Sequence, residues 1–298
     1  MQKNKKIVFV GIGMVGASGL ASCISQNLAD EYVIIDIFTE FAQGQKLDLE
    51  DALEVVNPSV KISVGNYSDC FDAGIIVVSA GRPQKDGETR LQMLQDNVKI
   101  IKDIAENIKK SGFSGISLIV SNPVDIMTQV YQQTTNFSKN TVISSGCYLD
   151  TLRLRRELTR RNISGGENCY IIGEHGDSST GVFGKLDISD KDTGEIEHHV
   201  HNKAQEIITR KKSTYYGIGA IIAHISRAIF TDSKHVFCVG RYLTGEFGQA
   251  GCYASIPSFI GKEGIIRACV DIELSDSEKQ KFGESCDILR AEYDKLGM

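Results

Sequence analysis

The sequence has little that would mark it for a membrane, a nucleic acid or an oxidising compartment. No apolar run approaches the roughly 20 residues that a membrane span needs. Net charge is −5 and the pI near 5.7, so there is no broad attraction to nucleic acid or to anionic lipid. The eight cysteines (Cys23, Cys70, Cys147, Cys169, Cys238, Cys252, Cys269 and Cys286) are scattered, and no CxxC occurs among them. That dispersal argues against a disulfide framework or a zinc site, and for reduced, buried thiols in a cytoplasm. No internal repeat or low-complexity linker interrupts the chain. The opening "MQKNKKIVFVGIG" is basic and then apolar, as a signal peptide would be. Gly11 and Gly13 break the run at once, and it reads instead as a first strand.

What is present is an ordinary globular composition: 298 residues, 41% hydrophobic and 24% charged, enough for a large core and about two domains. The first half alternates apolar β-branched runs with amphipathic segments. "KIVFV" precedes a helix with Val15, Leu20, Ile24 and Leu28 at helical spacing. "YVII", a helix from about Gly44 to Leu53, "KISV", "GIIVVSAG", the helix "LQMLQDNVKIIKDIAENIKK" and "ISLIVSN" follow. This pattern predicts a doubly wound parallel sheet with helices on both faces. After about residue 145 the character changes to mixed α+β. A helix at 150–162 leads to "CYIIG", to a hairpin in "KLDISDKDTGEIEHH" with its turn at "DKDTG", and to a long helical stretch over about 200–230. Three strands ("HVFCVG", "CYASIPSFI", "IIRACVDI") and a last helix opened by the capping box Ser275-x-x-Glu278 complete the chain. The expected boundary divides residues 1–144 from residues 145–298.

Four clusters carry candidate chemistry. Gly11-x-Gly13-x-x-Gly16 lies between a strand and a helix. Its glycines permit a tight turn, the approach of a pyrophosphate and close helix packing, and the helix N-terminus supplies donors. Asp36 ends the second strand about 20 residues on, where an acid holds a ribose diol and repels a 2′-phosphate; NAD is favoured over NADP. The loop "SAGRPQKDGETR", residues 79–90, carries Arg82, Lys85 and Arg90. It is either a solvated basic loop or a lid that brings an arginine over a cofactor. "SNPVD" places Asn122 at the carboxyl end of a strand, as a ligand donor or as a turn cap. "LDTLR" sets Asp150 and Arg153 on one helix face, as an exposed ion pair or as a buried carboxylate that needs a cation, for which His175 is a candidate. His175 itself, in "GEHGDS", is one of only six histidines, a satisfied turn residue or a proton carrier.

Together these motifs resemble the L-lactate/malate dehydrogenase family, and its lactate branch in particular, over essentially the whole chain. "GIGMVG" is similar to the family's dinucleotide turn and "SAGRPQKDGETR" to its active-site loop. "VSNPVD", "LDTLR", "IGEHGDS" and "STYYGIG" are similar to its substrate-site motifs. The resemblance implies a Rossmann-type fold, NAD as cofactor, and a small 2-oxo or 2-hydroxy acid as substrate. It also implies a homodimer or homotetramer and no metal. It makes His175 the proton donor and acceptor, Asp150 its orienter, Arg153 the carboxylate anchor and Arg90 the polarising arginine. Gln84, Asn122 and Thr214 line the substrate pocket, and Gly11, Gly13, Met14, Val15, Gly16, Asp36, Ala80, Gly81, Asn97, Ser121 and Asn122 hold the cofactor.

In this family, glutamine at position 84 marks lactate dehydrogenases and arginine marks malate dehydrogenases. Asp86 stands where the family usually has proline, and Arg82 could take the place of Gln84 if the loop were shifted. Asp86 would repel a second carboxylate, so a monocarboxylate is favoured. A malate or bulkier 2-hydroxyacid dehydrogenase, and an idle NAD-binding protein, are the competing readings. Arg155 matches an arginine that binds fructose 1,6-bisphosphate in bacterial relatives, but Asn168 replaces the histidine, and this activator is not expected. "HHVH" (His198, His199, His201) reads as a solvated helix start rather than a metal site, and "DISDKDTGE" lacks the ligand order of a calcium loop.

Overall fold

The chain begins its ordered course with a strand that has no solvent face. All five residues of β1 (Lys6–Val10) are buried, as a strand covered by helices on both sides requires. The structure, a computed structural model, describes residues 5–82 and 90–297. After β1 come α1 (Met14–Ser25), β2 (Glu31–Ile35), α2 (Thr39–Val56), β3 (Lys61–Val64), β4 (Ile75–Val78), α3 (Arg90–Lys110), β5 (Ile116–Ile119), α4 (Val124–Thr135) and β6 (Val142–Ser144). These six strands pair in parallel in the order β3-β2-β1-β4-β5-β6. The order reverses between β1 and β4, and ligands of doubly wound sheets bind in the crevice at that reversal.

The second half continues with α5 (Tyr148–Arg160), β7 (Tyr170–Ile172), β8 (Thr180–Val182), α6 (Asp190–Lys211), α7 (Tyr216–Thr231), β9 (His235–Thr244), β10 (Ala250–Gly261), β11 (Gly264–Ala268) and α8 (Asp276–Asp294). Strands β9, β10 and β11 extend the same sheet to nine strands, with the pairing turning antiparallel where Ser144 meets Gly240. The doubly wound parallel sheet followed by a mixed α+β half is the fold expected from the sequence. Alternate β1 side chains divide the core: Ile7 and Phe9 face α1 and α7, while Val8 and Val10 face α3 and α4. Helix α7 lies directly on α1. A side chain at Gly219 would come within 2.7 Å of the Ser18 main chain, so α7 and the Thr214 segment before it are held beside the glycine turn.

Three expectations need correcting. Residues 185–199 do not form a hairpin, because "DKDTG" opens α6. Ser189 caps that helix by accepting the Asp192 N–H (3.2 Å), and Ile196 and Val200 bury its inner face. Cap and burial together outweigh the turn preference of Asp and Gly and the roughly 1 kcal/mol cost of Gly194 within a helix. The long helix over 200–230 is two helices, broken where Lys212 adopts a left-handed conformation (φ +69°). "HHVH" lies in the middle of α6 rather than at its start, and its histidines take separate partners: His198 meets Asn202, His199 meets Glu157 and His201 meets Ser179. Helix α4 and strand β6 escaped the sequence reading: α4 buries its polar side chains Asp125, Thr128, Gln129 and Gln132 along with its apolar ones, and β6 spans only three residues. Among the described residues, no helix is long and apolar enough to cross a membrane.

Candidate active site

The crevice between β1 and β4 is shaped first by main chain. Gly11 turns the chain after β1 at φ +89°, and a side chain there would lie 2.5 Å from the Ala80 nitrogen. A Cβ at Gly16 would overlap the Gly11 carbonyl oxygen and Ser79 Oγ, which are themselves joined by a 2.8 Å hydrogen bond. Gly13 is the opposite case: nothing lies within 4 Å of where its Cβ would be. It begins α1 without a side-chain cap, so the first amides of the helix face open space and an anion can approach them. Met14 is exposed beside this opening, and Val15 turns towards the adjoining cavity.

Asp36 lies across the turn at the end of β2. Its carboxylate accepts the Ile12 N–H at 2.7 Å and the Phe38 N–H at 2.9 Å. Each oxygen keeps a further acceptor position for a hydroxyl. The donor set fits a dinucleotide: amides for the pyrophosphate, a fixed carboxylate for the diol.

Behind the crevice, Asn97 and Ser121 hold loops. The buried Asn97 amide accepts the Arg82 N–H (2.9 Å) and donates to the carbonyls of Arg82 and Asn122 (both 3.2 Å). The Ser121 hydroxyl donates to the Ala80 carbonyl at 2.5 Å. Gly81 packs against the Asn97 side chain. Gln84 lies outside the described residues, and so does the side chain of Arg90, whose main chain begins α3.

A cavity of about 290 Å³ opens next to the turn, lined among others by Val15, Asn122, Asp150, Arg153, His175 and Thr214. His175 Nδ1 is 2.7 Å from Asp150 Oδ2, and Arg153 Nη1 donates to Asp150 Oδ1 at 2.9 Å. The carboxylate expected to need a cation therefore has two. Burial alone would raise the Asp150 pKa, but His175 and Arg153 hold it below the ordinary carboxylate value. Burial likewise works against protonation of His175. The Asp150 carboxylate outweighs it, with Asp125 behind, and lifts the ring to about 9.

Asp125 was not singled out from the sequence. It accepts the His175 main-chain N–H at 2.7 Å from the first turn of α4. Burial outweighs the pull of the His175 N–H and ring and pushes it up to about 7. A carboxylate inside the otherwise apolar "VDIM" was the available signal. Cys147 lies against the same loop. Its thiol donates to the Glu174 carbonyl (3.5 Å), and burial keeps it protonated.

Two further arginines are committed elsewhere. Arg82 binds Asp96 Oδ2 through Nε (3.1 Å) and Nη2 (2.7 Å). Arg155 donates from Nε to the Cys169 carbonyl (3.1 Å) and stacks over Tyr170. The cavity beside Asn168 contains the carboxylates of Asp271 and Glu273, which a sugar bisphosphate would have to displace.

A doubly wound sheet that presents a dinucleotide crevice to a paired histidine and carboxylate defines an NAD-dependent oxidoreductase. The chain belongs to the lactate/malate dehydrogenase family: residues 5–144 match the NAD-binding domain and residues 147–297 the alpha/beta C-terminal domain. It is 43% identical to the L-lactate dehydrogenase of Mycoplasma mobile, over 99% of this chain and 97% of that protein. It is also 43% identical to the L-lactate dehydrogenase of Mesoplasma florum, over 98% and 97% of the two chains. Among solved structures it is similar to a lactate dehydrogenase from a Medee basin deep-sea metagenome library. That comparison gives a TM-score of 0.94 and 35% identity, with 99% of this chain and 100% of the other covered. The ligand-bound minor L-lactate dehydrogenase of Enterococcus mundtii gives a TM-score of 0.93 and 34% identity, with 98% of each chain covered.

Proposed function

We propose that this protein is an L-lactate dehydrogenase that interconverts pyruvate and L-lactate. The observation that carries the reading is the His175–Asp150–Arg153 constellation in a cavity adjoining the glycine turn. In the assignment, residues 1–144 hold the cofactor and residues 145–298 most of the substrate site. The Gly11–Gly16 turn would hold the pyrophosphate of NAD, and Asp36 its ribose diol. When bound, the nicotinamide supplies or takes up the hydride.

Arg153, fixed by Asp150, offers a fork that suits the substrate carboxylate better than a lysine would. His175 gives a proton to the carbonyl oxygen in reduction and takes it back in oxidation. Asp150 selects the tautomer: with Nδ1–H bound to the carboxylate, Nε2 is the atom that exchanges the proton. Arg90 completes the site by stabilising charge on the substrate oxygen, and Asn122 and Thr214 contact the substrate.

The Arg82–Asp96 pair supports a monocarboxylate substrate, because it ties down the guanidinium that a shifted loop would need for a second carboxylate. A homodimer or homotetramer belongs to the same reading. The exposed Phe41, Leu47 and Val55 of α2 are apolar surface for a second copy to cover. The eight free thiols fit a cytoplasmic location. NADH oxidation measured in parallel with pyruvate, oxaloacetate and 2-oxoisocaproate tests the substrate. Pyruvate should have the highest kcat/KM, and a preference for either of the others would reassign the enzyme within the family.

A further inference from the structure

We infer that Ser285, on the C-terminal helix α8, is a positioning residue for the loop that carries His175. The inference rests on the reading of His175 as the proton carrier. Three successive residues at the end of β7 are each held by a different element. Gly173 exchanges two 2.9 Å main-chain hydrogen bonds with Ser255 of β10. Glu174 donates its N–H to Ser285 Oγ of α8 at 2.8 Å, and His175 donates its N–H to Asp125 of α4. Ser285 is fully buried. Its hydroxyl fits tightly against Gly173, where a side chain would come within 2.6 Å of it and where φ is +100°.

Proton accounting shows how the hydroxyl is used. Ser178 Oγ lies 2.5 Å from Glu174 Oε2 and 2.9 Å from Ser285 Oγ. A carboxylate only accepts, so the single Ser178 proton goes to Glu174. Ser285 must then donate to Ser178 while accepting from the Glu174 N–H. The chain of bonds begins on the main chain of Glu174, passes through Ser285 and Ser178, and returns to the Glu174 side chain, so it ties together the two ends of the turn formed by His175, Gly176 and Asp177. Ser285 lies 111 positions from Glu174, so α8 contributes to the site from the far end of the chain without touching the cavity.

Among the described residues, the titratable and charged groups around His175 are Asp150 and Arg153 of α5, Asp125 of α4, Glu174 and Asp177 of its own loop, and His201 of α6. Ser285→Ala removes none of them. A changed His175 titration in this variant would therefore report displacement of the ring from Asp150, not loss of a charge.

The test is Ser285→Ala in the full chain, with pH profiles of pyruvate reduction and an NADH titration. The kcat should fall about tenfold to a hundredfold, as misplacement of a reacting group does. Pyruvate KM and NADH affinity should stay nearly unchanged, because Arg153 and the glycine turn lie elsewhere. The pH midpoint should move down from the wild-type value towards that of an ordinary histidine. Ser178→Ala opens the same ring from a less buried position and should shift the midpoint in the same direction, which keeps the test decisive should Ser285→Ala fail to fold. A wild-type midpoint near 9 that both variants reproduce with unchanged kcat would overturn the role of Ser285 alone. A wild-type profile with no such midpoint would overturn the His175 reading and this inference with it.

Discussion

His175→Asn is expected to lower turnover by about a hundredfold to ten-thousandfold in both directions, the range over which general acid–base groups contribute. NADH affinity should be nearly unchanged. The two effects separate because the ring and the dinucleotide turn are carried by different parts of the fold. His175 is set by α4, α5 and α8, whereas the turn is formed by Gly11–Gly16 and Asp36 on β1, α1 and β2. Asparagine keeps the main-chain N–H that Asp125 accepts, so the loop remains tied while the proton carrier is gone. Stopped-flow NADH binding beside steady-state rates gives the comparison. Equal loss of cofactor binding and of turnover would make His175 a structural residue.

The second large effect is a change of substrate. If Gln84 faces the third carbon of the substrate, as the family resemblance implies, Gln84→Arg places a cation where oxaloacetate carries its second carboxylate. A newly formed charge pair shielded from water can contribute about 3 kcal/mol. At about 1.4 kcal/mol per tenfold, that is roughly a hundredfold gain in kcat/KM for oxaloacetate. Pyruvate activity should fall at the same time, and Asp86 should limit the gain by competing for the new guanidinium. Arg82→Ala is the control. Its guanidinium is held by Asp96 at 2.7 Å, so the substitution should leave the pyruvate-to-oxaloacetate ratio alone. A ratio that responds to Arg82→Ala and not to Gln84→Arg would place the enzyme in the malate branch.

How much could be read without the structure depended on whether the determining contacts were local. The strand–glycine–helix–acid unit from Lys6 to Asp36 is written in spacing alone, and each glycine has the surroundings its position suggested. The partnership of Asp150 with His175 was approachable through energetics: a carboxylate among leucines near the start of a helix needs a cation. Misreading began where distant packing decides. Residues 185–199 contain every local mark of a turn, yet Ile196 and Val200 are buried and draw the segment into α6. Asp125 was hidden because α4 buries several polar residues, and spacing alone does not set its carboxylate apart from Thr128, Gln129 and Gln132. Ser285 could not have been found at all, since only the folding of α8 against β8 and β10 brings it to Glu174. The hairpin failed because tertiary burial overrides local preference, and the single long helix because Lys212 turns left-handed between α6 and α7.

The central claim is that His175, held by Asp150, carries the proton. Its direct test is the pH dependence of kcat/KM measured in both directions on one preparation. Asp150 raises the folded pKa of the ring to about 9, above the ordinary histidine value near 6.5. The protonated form therefore persists below about pH 9 and is lost as pH rises through that value. Pyruvate reduction, which needs the proton, should be sustained up to about pH 9 and fall beyond it. Lactate oxidation, which needs Nε2 free, should rise over the same window. Opposite trends sharing a midpoint near 9 are the expected result. Parallel trends in the two directions, or no inflection near that midpoint, would contradict the assignment of His175 as the proton carrier.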